Sequence, residues 1–166
     1  MAILGTLFAC THVMGRDTEE QLLRQLRSES NPVKKAKIEI KLANLKLDEV
    51  RDAYSEGHPE AGAKLLGTFL AEMKISWKLL QDSGREAWKH SDGFRELEIS
   101  LRENGRALED LARGVSYYER SPLTEAAQEM DRMHSEVIKA LFPGRNPKGI
   151  PPPATNTSPT NPPAQK

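Results

Sequence analysis

Phe94, Leu97, Leu101, Asn104, Leu108, Leu111, Val115 and Tyr118 follow one another at alternating steps of three and four. At about 3.6 residues per turn these positions form one stripe on a helix, and seven of the eight are apolar or aromatic. Arg, Glu and Asp fill most of the places between them. The pattern predicts an amphipathic helix over about 94–118, with one face for a core and one for water. Asn104 is the polar member of the stripe, a position that sets register at some cost in stability.

Three further segments keep the same rhythm. Over about Pro32 to Glu56 it runs through Val33, Ala36, Ile40, Ala43, Leu47, Val50 and Tyr54. From Pro59 to Ser83 it takes Ala63, Leu66, Leu70, Met73, Trp77 and Leu80, and from Pro122 to Phe142 it takes Leu123, Ala126, Met130, Met133, Val137 and Leu141. A shorter helix is predicted from Asp17 or Thr18 to about Ser28. Thr18 and Gln21 have the spacing of a capping box, and Leu22, Leu23 and Leu26 form one apolar edge. Asn31-Pro32, Gly57-His58-Pro59, Ser91-Asp92-Gly93 and Ser121-Pro122 punctuate the series with cap and turn residues.

Two of these helices have apolar residues to spare. Ile38, Leu42 and Leu45 fall on the opposite side of the second helix from its main stripe, and Leu65, Ile75 and Leu79 lie away from the main stripe of the third. Such a second face is either covered from within, with the short first helix as the nearest cover, or it is an interaction surface. Trp88, in the 84–93 connection, either caps the end of the helices or stands exposed as an anchor for a partner.

The expected fold is all-α: an antiparallel up-down bundle of four long helices with coiled-coil-like packing, plus a short N-terminal helix. Short reversals at 57–59 and 119–122 require antiparallel neighbours, and three-four spacing favours shallow crossings of about 20°. The reversals resemble each other at an offset of 63 residues, Tyr54 opposite Tyr117 and Pro59 opposite Pro122. This is a pattern that a duplicated hairpin, or common turn chemistry, would produce. Residues 53–63 also resemble the mid-repeat turn of a tetratricopeptide repeat. The likeness stops at Gly67, where that repeat carries an aromatic, and the helices are too long for its unit of about 34 residues. Over 33–80, an Ala- and Leu-rich helix meeting a second helix through a Gly-containing turn resembles helical-hairpin domains of exported bacterial proteins. That resemblance implies export and hairpin packing, and no chemistry.

Composition changes at both ends divide the chain into 1–15, 16–142 and 143–166. Residues 1–15 are apolar and carry no Asp, Glu, Lys or Arg. The stretch is shorter than the roughly 20 residues of a membrane-spanning helix and resembles the apolar and cleavage regions of a signal peptide. Export to the periplasm or beyond is the expectation, with a cytoplasmic location if the segment is not a signal. Leu7-Phe8-Ala9-Cys10 is similar to the lipobox of bacterial lipoproteins, which makes Cys10 the candidate lipidation site. The stretch 143–166, with Pro151, Pro152 and Pro153 in a row, has too little apolar surface to offset ordering entropy and is expected to be a disordered tail.

Lys plus Arg and Asp plus Glu both number 24. That balance, with Lys34, Lys35 and Lys37 as the one basic cluster and no aromatics among them, argues against a nucleic-acid partner. A single cysteine excludes an internal disulfide. Asp131 and His134 have a helical metal-ligand spacing, but no second motif supplies the other ligands, and no phosphate loop or nucleophile–base arrangement is present. No catalytic residue, metal, cofactor or small-molecule substrate is therefore assigned. The expected function is that of a non-catalytic exported helical bundle working through protein–protein contact or self-association. Ile38, Leu42, Leu45, Leu65, Ile75, Leu79 and Trp88 are its candidate surface. The alternatives are an envelope component anchored to the membrane at Cys10 and, third, a metal-binding or enzymatic bundle.

Overall fold

The computed structural model describes residues 18–144. The expectations for residues 1–15, Cys10 included, and for the chain beyond Gly144 lie outside the described residues. Every regular element among those described is helical: α1 (Glu19–Ser28), α2 (Pro32–Ser55), α3 (Pro59–Asp82), α4 (Phe94–Gly114) and α5 (Arg120–Leu141), with a 3-10 turn at Tyr117–Glu119. The class is all-α, as the periodicity predicts.

Local chemistry sets most boundaries. The Thr18 hydroxyl accepts the Gln21 amide at 3.3 Å and the Gln21 side chain accepts the Thr18 amide at 3.0 Å, closing the predicted capping box of α1. Asn31 Oδ1 accepts the amides of Val33 and Lys34, and Pro32 occupies the first turn of α2. Gly57 ends α2 at φ +79, a conformation that side chains with a Cβ rarely adopt.

Two stripes differ from expectation. Helix α4 ends at Gly114, not near Tyr118, and Tyr118 is 92% exposed. The apolar rhythm runs on through Val115 and Tyr118, but polar capping wins. Glu119 accepts the Ser116 amide at 3.1 Å and its hydroxyl at 2.8 Å, and Val115 is extended. The second reversal is thus built differently from the first: Tyr54 is buried and its counterpart Tyr117 is exposed. The stripe of α3 is rotated by about one residue. Its buried positions are Gly62, Leu66, Phe69, Met73, Ser76 and Leu80, while Ala63, Leu70 and Trp77 are half-buried. Small residues explain the rotation. A Cβ on Gly62 would stand 2.6 Å from the ring of Tyr54, so only glycine lets α3 come this close to α2 at the turn. The Ser76 hydroxyl is satisfied by the Met73 carbonyl at 2.7 Å.

Helix α2 packs chiefly on α3 and α4 chiefly on α5, and the pairs meet through α2–α4 and α3–α5 contacts. The main core draws on all four, from Val33, Ala36 and Ile40 through Phe69, Met73 and Leu101 to Met130 and Val137. Asn104 lies at the α2–α4 junction. Its Nδ2 donates to Asn44 Oδ1 at 2.8 Å and to Ser100 Oγ at 3.0 Å, and the Ser100 hydroxyl donates to Asn44 Oδ1 at 3.1 Å. The polar residue of the stripe thereby ties one helix pair to the other at one register. Helix α1 packs against α2. Leu22 and Leu42 are buried but stand outside the main core, on the side of α2 where Lys46 reaches Glu19 of α1.

Candidate functional site

The seven residues of the predicted surface do not form one surface. Leu42 is 2% exposed, and Ile38 and Leu45 beside it are half-buried. Leu65 and Leu79 are half-buried and lean on the main core. Ile75 is 45% and Trp88 54% exposed. Leu42 is buried on the side of α2 where Lys46 reaches Glu19 of α1.

Trp88 borders a cleft. The chain between α3 and α4 turns three times, buries Ala87 and turns Trp88 outward. Gly93 then starts α4 at φ +83, where a Cβ would meet Leu80 at 2.7 Å and Val33 at 2.9 Å. The Gly93 amide donates to Glu96 at 2.7 Å. This seating holds the connection against the ends of α2 and α3. The cleft, about 520 Å³, has Ala87, Trp88 and Ser91 on one wall, Arg95 and Glu98 of α4 on another, and Ile138, Leu141 and Phe142 at the end of α5. Phe142 is 47% exposed. Lys89 sits 4.6 Å from the centre of the Trp88 ring and pairs with Glu86.

The charges of the cleft are unequal in their freedom. Glu98 is already engaged by Arg102 at 3.3 Å and by His134 Nε2 at 3.0 Å. His134 thus faces Glu98 of α4, not Asp131, its suggested co-ligand. Arg95 is exposed, and among the described residues no ion pair holds its guanidinium. The cleft therefore offers an apolar floor and one uncommitted cation, an arrangement suited to holding an apolar side chain with a carboxylate close by.

A second cluster lies on the outer side of α2. Glu39, Leu42, Lys46 and Glu49 repeat the three-four step there, and Glu72 of α3 stands beside them. Lys46 Nζ is 2.9 Å from Glu19 and 3.1 Å from Glu49. Burial lowers the pKa of Lys46, but these two carboxylates outweigh it, and the net direction is up. Burial raises Glu39, which is 8% exposed. Burial, then the charge of Glu39, pushes Glu72 up to about 7, and its buried Oε2 has no hydrogen-bond partner.

The apolar pattern overlooks Glu39, Glu72 and Arg95, because it treats charged residues as solvated. The three-four spacing of Glu39 to Leu42 and Lys46 was the available signal. No protein-family model matches the chain, and neither the curated proteins nor the solved structures show a significant match to it. Among the described residues no helix is long and apolar enough to cross a membrane.

Proposed function

We propose that the protein is a non-catalytic, exported helical bundle that binds a protein segment in the Trp88–Phe142 cleft. In this reading α2 to α5 form one antiparallel up-down bundle. The three-residue link between α2 and α3 and the main core shared by all four helices support that arrangement. The observation that carries the binding reading is the pairing of an exposed Trp88 and Phe142 with an unpaired Arg95 on one open cleft. Aromatic and arginine side chains are the commonest energetic anchors of protein interfaces. The occupant is a segment that presents an apolar or aromatic side chain next to an Asp or Glu. The chain's own 143–166 segment contains no acidic side chain, so it does not complement Arg95.

Panning a displayed peptide library on the full chain tests this. Wild-type protein should enrich peptides with an acid beside an apolar residue, Trp88→Ala should lose them, and Arg95→Glu should enrich Lys or Arg in place of the acid. Equal enrichment on Trp88→Ala, or an unchanged acidic preference on Arg95→Glu, overturns the reading. Export is tested by sequencing the N-terminus of the native protein. A start at or near Arg16 supports cleavage, and an intact Met1 or Ala2 removes it.

A further inference from the structure

The turn between α4 and α5 puts two aromatic side chains into water. Helix α4 stops at Gly114, and the bonds from Ser116 to Glu119 hold the next residues in a 3-10 turn. Tyr117 and Tyr118 are 80% and 92% exposed on it, with their rings edge to face and 5.8 Å between centres. Tyrosines offer a large, rigid contact area with few rotors to immobilise on binding. Glu119, half-buried, follows them. Its carboxylate accepts only from Ser116, and among the described residues no cation pairs with it. The guanidinium of Arg120 is turned back onto the Ala112 carbonyl at 2.9 Å. The turn thus presents an aromatic side chain beside an acid that no cation has taken. Among the described residues no other exposed large apolar side chain has such a neighbour: Ile99 stands next to Glu98, which Arg102 and His134 hold.

We propose that the Trp88–Phe142 cleft takes this turn from a second copy of the chain. The inference rests on the binding reading of that cleft and names its partner. The match is one of chemistry: Tyr118 meets the apolar floor beside Trp88, and Glu119 meets Arg95. A copy cannot fill its own cleft. Arg95 is the second residue of α4, and Tyr118 lies past the far end of that 21-residue helix, about 30 Å away along its axis. The contact joins unlike surfaces, so copies add head to tail. One turn in a cleft of about 520 Å³ is a small contact beside a standard interface of roughly 1,600 Å², so the association should be weak and concentration-dependent.

Sedimentation velocity of the full chain, from dilute to concentrated solution, tests this. Wild type should pass from single chains to two and more as its concentration rises. Trp88→Ala, and separately Tyr117→Ser combined with Tyr118→Ser, should each weaken association at least about tenfold. Both variants change exposed side chains, and circular dichroism should show their helices kept. Mixed in equal amounts, they should associate with each other, since one keeps the turn and the other keeps the cleft. Arg95→Glu should weaken association as well. Single chains at every concentration, association unchanged in either variant, or a mixture that sediments as the sum of its parts overturns the proposal. The two readings fail separately. A wild-type chain that captures library peptides yet stays single rules out the second copy alone, whereas peptide capture left intact by Trp88→Ala removes the cleft itself.

Discussion

Gly93 and Asn104 show how single positions carry the fold. Gly93 combines a positive φ with two side chains where a Cβ would stand. Gly93→Ala should therefore cost at least about 2 kcal/mol in urea unfolding, because backbone strain and overpacking act together. Asn104→Ala removes both donations to Asn44 and Ser100 and leaves the Ser100 hydroxyl with fewer partners. A loss of about 1–2 kcal/mol is expected in the same assay. Asn104 was visible as the one polar residue in a regular stripe. Gly62 and Ser76 were not, because a search for apolar residues passes over small ones. Their burial depends on how near α2 comes to α3, and Tyr54 over Gly62 sets that distance. Phe69, the largest fully buried side chain, lies on the face they define.

Among the elements, α1 is the shortest helix and has one fully buried side chain, Leu22. Leu22→Ala should detach α1 at a cost of about 2–3 kcal/mol. Limited proteolysis would then cut within 19–31 while α2 to α5 stay intact. Acid acts on contacts within the main bundle of helices. Burial raises Glu96, but hydrogen bonds from Lys37 and the Gly93 amide outweigh it and hold the carboxyl below its usual value. The Lys74 ammonium holds Glu129 low across α3 and α5. Stabilisation by these two is complete above 4.5 and disappears as the pH falls through their lowered values. Circular-dichroism melts should accordingly show Tm rising from pH 3 to about 5. Element existence and type were legible because caps and periodicity agree over α1, α2 and α3, and periodicity alone marked α5, which starts at Arg120 ahead of the expected Ser121-Pro122 turn. The end of α4 was not, since Ser116 and Glu119 form a local polar motif that an apolar stripe does not register.

For the molecule as a whole, binding and stability are expected to separate. Trp88 is mostly solvated, so Trp88→Ala should change unfolding free energy by less than about 0.5 kcal/mol and still abolish peptide capture. Trp77 supplies an internal reference. It is half-buried, packs edge-on against Phe94 at 6.2 Å, and its indole N–H donates to Glu136 at 3.1 Å. Acrylamide should quench Trp88 more strongly than Trp77, and occupancy of the cleft should protect Trp88 alone. Comparing Trp88→Phe with Trp77→Phe by fluorescence checks this. If both tryptophans are shielded equally in the free protein, the cleft is closed and the binding reading fails.

Local information was enough for the helical class, five helical segments, most of their caps and the polar layer at Asn104, because all of these depend on residues within a few turns of one another. The rest depended on distance in space. Whether Leu42 faced solvent or α1, whether Trp88 capped the helices or stood clear of them, and whether Glu72 kept its hydration were set by how helices far apart in sequence lie together. Burial belongs to the packed chain: the same glutamate is an ordinary surface charge on an isolated helix and a reluctant one when buried beside Glu39.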